Sequence, residues 1–272
     1  MAWDKTGSLG KILIGVIIGI FLTCLIIAAA ILTIYYFGLN VTTTTHTFSH
    51  SILLKPAGNA TMSEKQIGST LEVLHSRFAD YGNNVSMAAH RNESGIPYIV
   101  ISYDDIPPDT IAAVATTPGI FELRIQTSGN ESEHVFYGDG IYDVQSPQLV
   151  PINRTEQWSV SFSLTYGSRE EYKQACIDSG ATLDPANHTV MMLLDDQVIY
   201  AMPISPYLAR DFAQGISAQE IEGMIAVTGT GDIGREKARN VSIYLRSGPL
   251  PVKMEVVSPV TNLSYTATVP LS

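Results

Sequence analysis

Gly229-Thr230-Gly231-Asp232-Ile233-Gly234 has the Gly-x-Gly-x-x-Gly spacing. After a strand and at the opening of a helix, that spacing lets a backbone approach a pyrophosphate. A strand-like run precedes it and a helical pattern follows. The wider strand–helix–strand repeat is missing, so the stretch reads as a structural turn. His46 and His50 stand four residues apart, a metal-binding spacing if the segment were helical. The surrounding threonines disfavour a helix, so both read as linker histidines. His75, His90, His134 and His188 are scattered. Asp104-Asp105 and Asp195-Asp196 are adjacent carboxylates. Neighbours in a strand point to opposite faces, so neither pair can share a proton or a metal, and both read as turn residues. Cys24 and Cys176 build no disulfide framework, zinc cluster or redox pair. Cys176 reads as a small buried apolar residue on a helix. No Gly-x-Ser-x-Gly, His-Glu-x-x-His or P-loop occurs. The residues predict neither an enzyme nor a cofactor or metal site.

The chemistry that is abundant is that of modification. Nine of the ten asparagines sit in Asn-x-Ser/Thr: Asn40, Asn59, Asn84, Asn92, Asn130, Asn153, Asn187, Asn240 and Asn262. Ser and Thr make up about a sixth of the chain, so chance predicts roughly two such triplets. The excess predicts a compartment with N-linked glycosylation and marks these positions as surface loops or element ends.

Composition narrows the class further. The chain has 272 residues, a net charge of −10 and 15% charged residues. Soluble domains carry about 25%. The acidic balance gives nothing to neutralise phosphates, so nucleic acid is not an expected partner. From Ile12 to Phe37 there is no charge, and the next charge after Lys11 is Lys55. At about 1.5 Å per residue this run crosses a hydrocarbon core of roughly 30 Å. Lys5 and Lys11 precede it, which predicts a cytoplasmic N-terminus and an extracytoplasmic remainder. The apolar run is too long for a cleaved signal peptide and reads as an uncleaved anchor.

The expected organisation is therefore a cytoplasmic N-terminus (1–11), a transmembrane anchor (12–37), a Thr-rich spacer (38–50), a first α+β half (51–126), a connector (127–156) and a second α+β half (157–272). In the first half, Ser63 and Gln66 form a capping box ahead of Ile67, Leu71, Leu74 and Phe78 at helical spacing. Strands are expected at 51–54, 85–89, 98–103 and 120–125, with a second helix at 109–116. That β-α-β-β-α-β order is ferredoxin-like, a split βαβ unit. In the second half, strands are expected at 158–164, 190–194, 197–202, 224–228 and 251–257. Helices are expected at 169–179 (capped by Ser168), 205–214, 217–222 and 234–244.

Three segments resemble one family. They are Trp158–Leu164, the hairpin Met191–Ser205, and Thr228–Gly231 followed by a helix and Ile243–Val257. Leu245-Arg246-Ser247-Gly248-Pro249-Leu250-Pro251 is the most specific part. Together they resemble the large extracytoplasmic domain of SecD, the accessory protein-export subunit, in its archaeal form. The resemblance covers about Ser63 to Val257 and includes the first membrane helix. It implies structural roles for Gly229, Gly231, Leu245, Arg246, Gly248 and Pro251. It also implies handling of polypeptide emerging from the translocation channel, together with SecF. The family's Gly- and Asp-containing motif after the first helix is replaced by Asn40-Val-Thr-Thr-Thr-Thr. Further membrane helices, which carry proton coupling in the family, do not occur before Ser272. The chain is thus expected to be a one-span relative or the front piece of a longer protein. The alternative expectation is a glycosylated surface module that keeps the fold without the export role.

Overall fold

In Ser51–Pro56 buried side chains alternate with half-buried ones from Ile52 onward, the two-residue period of a strand with one packed face. The computed structural model describes residues 44–260 and 266–269, except 94, 153, 217–220 and 222. The expected anchor, Cys24, Asn40, Asn153, Asn262 and most of the helical turn expected at 217–222 lie outside the described residues. None of the described helices is long and apolar enough to cross a membrane. Strand β1 (Thr44–Thr47) pairs antiparallel with the last strand, β14 (Thr266–Val269), and the two belong to a unit of their own. Five residues expected as spacer, 44–47 and 50, are therefore paired strand.

The second unit, Phe48–Tyr265, holds two hydrophobic cores. One begins with β2 (His50–Pro56), α1 (Glu64–Phe78), β3 (Val85–Arg91), β4 (Pro97–Tyr103) and α2 (Pro108–Thr116). The Ser63 hydroxyl accepts from the Gln66 N–H at 3.3 Å, and Gln66 Oε1 accepts from the Ser63 N–H at 3.0 Å. This is the expected capping box. Helix α1 starts there because two otherwise orphaned donors are satisfied. Ile52, Leu54, Leu74, Phe78, Ile99, Ile101 and Ile111 form the centre of this core.

The closing strand of this sheet is not the expected 120–125. The antiparallel order is β13-β2-β4-β3, with β13 (Met254–Val260) pairing Met254 with Pro56. The split βαβ arrangement is present, but its fourth strand arrives from the far end of the chain. Strand β5 (Phe121–Gln126) belongs to a second sheet of order β11-β10-β5-β6, with β6 (Ser132–Tyr137), β10 (Thr189–Leu194) and β11 (Gln197–Pro203). A third sheet centres on β9 (Thr155–Leu164), which pairs with β7 (Ile141–Val144), β8 (Gln148–Ile152) and β12 (Met224–Gly229). The segment 127–156, expected as an irregular connector, thus contributes three strands.

Three helices complete the inserted part: α3 (Tyr166–Asp178), α4 (Pro206–Ala213) and α5 (Gly231–Ser247). Thr165, not Ser168, caps α3: its hydroxyl accepts from the Ser168 N–H at 3.3 Å, which places Ser168 in the first turn. Helix α5 joins the two cores. Ala238, Val241 and Leu245 pack into the inserted core, and Ile243 and Tyr244 pack into the split βαβ core. Two apolar stripes on one helix make it a shared wall rather than a surface element.

Candidate functional site

The inserted part leaves the split βαβ unit after α2 and returns after α5, and the two crossing points touch. The Leu250 N–H donates to the Pro118 carbonyl at 2.8 Å. Between them lies the guanidinium of Arg77, which is fully buried. Nη1 donates to the Val114 carbonyl at 2.9 Å and to the Thr117 carbonyl. Nη2 donates to the carbonyls of Pro118 (2.9 Å) and Gly248 (3.2 Å), and Nε donates to Ser247 Oγ at 3.3 Å. The Tyr244 ring lies 4.9 Å from the guanidinium carbon. Burial lowers the Arg77 pKa to about 10, so the group stays charged at neutral pH. A buried charge is tolerated because backbone carbonyls replace its water. Gly119, at φ +77°, passes so close that a Cβ there would sit 2.5 Å from Nη2.

Asp195 fixes the other side of this junction. Asp195 and Asp196 both have positive φ and form the two-residue turn between β10 and β11. The Asp195 carboxylate accepts from the N–H groups of Gly119 (3.1 Å) and Ile120 (2.9 Å). The pair is a turn, as its sequence suggests, with one carboxylate also holding the start of β5. Asp105 likewise has positive φ, and Asp104 Oδ1 accepts from the Ser49 N–H at 2.6 Å.

Above this junction opens a cleft of about 570 Å³. Ile120, Phe121, Tyr137, Ile141, Leu245 and Leu250 give it apolar walls, and Asp139 and Arg246 add charge of both signs. Ile120 and Tyr137 are 48% and 51% exposed, high for large apolar side chains. A cleft of this kind can take up apolar side chains of a ligand without a reacting group. Among the described residues no group of three or more His, Cys, Asp and Glu side chains could hold a metal.

The structure distributes the sequence-derived residues as follows. Leu245, Arg246 and Gly248 line the cleft, and Pro251 follows directly after its last lining residue. Gly229 and Gly231 lie at the opposite end of α5. Gly229 has φ +116°, and a Cβ on Gly234 would collide with its carbonyl. Thr228 Oγ1 donates to the Gly234 carbonyl at 2.8 Å. Asn84, Asn92, Asn130 and Asn187 are exposed, Asn240 is half-buried on α5, and Asn59 ends a short turn. Cys176 is fully buried, and burial pushes its thiol up to about 12. Sequence reasoning missed Arg77, Ile120 and Tyr137. An arginine one place before Phe78, on the apolar stripe of α1, was the available signal for Arg77.

No family model matches the chain. Among curated proteins it is similar to the protein-export membrane protein SecD of Methanolacinia petrolearia. The two are 35% identical over 159 residues, covering 58% of this chain and 31% of that protein. Over the matched region the chain is homologous to archaeal SecD. SecD of Methanopyrus kandleri is 29% identical over 194 residues, covering 71% of this chain and 44% of the relative. The chain thus spans less than half the length of these SecD proteins. Two solved SecDF structures share the fold. One, described as a membrane component that enhances protein export, matches with TM-score 0.53 and 14% identity, over 76% of this chain and 98% of its own. SecDF in a super-membrane-facing form matches with TM-score 0.55 and 16% identity, over 79% of this chain and 30% of its own.

Proposed function

We propose that the chain is a SecD-related component of protein export whose extracytoplasmic part binds extended, unfolded polypeptide at the Arg77–Gly248 junction cleft. Ile12–Phe37 anchors it in the membrane, and SecF and the translocation channel are its partners. The observation that carries this reading is the cleft's composition. The stretch most specific to SecD, Leu245–Leu250, forms one wall, and the other presents exposed Ile120 and Tyr137. Apolar walls with few polar anchors suit a ligand recognised by its side-chain character rather than by its sequence. The chain acts as a binding protein, and its sequons carry glycans on the extracytoplasmic side.

A photocrosslinking residue at Tyr137 in intact cells tests this. The expected products are exported polypeptides in transit, with SecF or channel subunits recovered by the same chain. Recovery of only envelope proteins or copies of itself would overturn the export reading and leave a glycosylated surface module.

A further inference from the structure

Strands at the edge of a sheet offer unpaired backbone groups to any other chain, and folded proteins blunt them. Among the described strands of the second unit most edges are blunted by an extra residue in the edge strand itself. The register shifts leave Val135 of β6, Tyr142 of β7, Ile199 of β11, Thr228 of β12 and Val257 of β13 without a cross-strand partner. Each is a bulge, which bends and twists the edge away from a flat template. Strand β8 has no bulge but carries Pro151.

Strand β3 is different. It pairs with β4 in unbroken register from Val85↔Tyr103 to Arg91↔Pro97. Its sequence, Val-Ser-Met-Ala-Ala-His-Arg, has no proline and no acidic residue or lysine. Two hydrogen bonds fix which backbone groups face outward. The Asp104 N–H donates to the Asn84 carbonyl, and the Asn92 N–H donates to the Ile96 carbonyl, both at 3.0 Å. Even-numbered residues therefore bond inward to β4, and the amides of Val85, Met87 and Ala89 face the open edge. The side chains of these three pack on the core, which holds the strand in place.

The two residues that bracket this strand, Asn84 and Asn92, are both sequon asparagines and both exposed. Eight residues of strand separate them by about 26 Å. We propose that N-linked glycans at Asn84 and Asn92 cover the β3 edge and prevent it from pairing with β3 of a second copy of this chain. They do at this edge what bulges and a proline do at the other edges of the second unit. The inference rests on the reading of the sequons as occupied sites.

The test has two stages. Glycopeptide mass spectrometry on full-length protein from its native host is expected to find both positions occupied. Unmodified asparagines there would overturn the sequon reading at these sites and the edge inference with it. Ser86→Ala with Ser94→Ala then removes both acceptor triplets while keeping the Asn92 side chain, whose Oδ1 accepts from the Ile96 N–H at 2.8 Å. Enzymatic deglycosylation of the folded wild type provides the same comparison without any substitution. Either treatment is expected to double the protein mass measured by light scattering in detergent, whereas Asn130→Gln leaves it unchanged. Adding Ala88→Lys, a charge on the edge strand, is expected to restore the monomer. Deglycosylated protein that stays monomeric would overturn the edge inference and leave the occupied sequons standing.

Discussion

Arg77 shows how much can hang on one side chain. It satisfies four backbone carbonyls and one hydroxyl from two separate stretches of chain, 114–118 and 247–248. Arg77→Met keeps much of the apolar volume but strands those acceptors in a buried place. The expected loss is roughly 3–5 kcal/mol of stability, read from urea unfolding of the full chain in detergent. Arg77→Lys is expected to recover only part of it, because an ammonium lacks the planar fork that spans several carbonyls. Cys176 gives a prediction of a different kind. Its thiol pKa is raised by burial from 9.0 to about 12, so the folded state favours the protonated form. The associated stability is fully present below pH 9 and is lost as pH rises toward 12. Tyr172, whose phenol is raised well above its usual value by burial and by Cys176, acts in the same direction. Cys176→Ala is expected to make the alkaline fall in stability shallower, as measured by denaturant midpoints across pH 8–11.

The elements were largely legible from sequence, and the reason is periodicity. The capping box at Ser63 and the 3.6-residue stripe of α1 are local signals, and the Asp195-Asp196 turn is equally local. The misplaced fourth strand has a long-range origin. Residues 120–125 are a strand, as their alternation says, yet nothing local tells which sheet takes that strand. The register of β5 against β10 and of β2 against β13 is decided by contacts far apart in sequence. Helix α5 illustrates the same point. Its sequence announces an amphipathic helix, but the assignment of Leu245 to one core and Tyr244 to the other appears only in three dimensions. The cleft was legible by half: its Leu245–Leu250 wall stood out by family resemblance. Its Tyr137 wall was hidden in a polar stretch that read as a connector. Because α5 is a wall of both cores, the two are expected to unfold as one. Leu245→Ala, which opens a hole in the inserted core, is expected to lower the midpoints of both cores equally by hydrogen exchange. Separate midpoints would show that the helix does not couple them.

For the molecule as a whole, the placement of β13 sets a timetable. Strand β2 ends at Pro56, and its partner β13 begins at Met254. A ribosome adding about 5–20 residues per second needs on the order of 10–40 seconds to make the stretch between them. During that interval β2 has β4 on one side and nothing from β13 on the other. The inserted part, whose strands all lie between Phe121 and Gly229, can complete its own sheets first. The split βαβ sheet must therefore wait for the inserted part. A late step of assembly is to draw β13 back across the finished insertion to β2. A truncation or stall before Met254 would leave β2 as an open edge, its backbone groups on that side free to pair with any extended chain nearby.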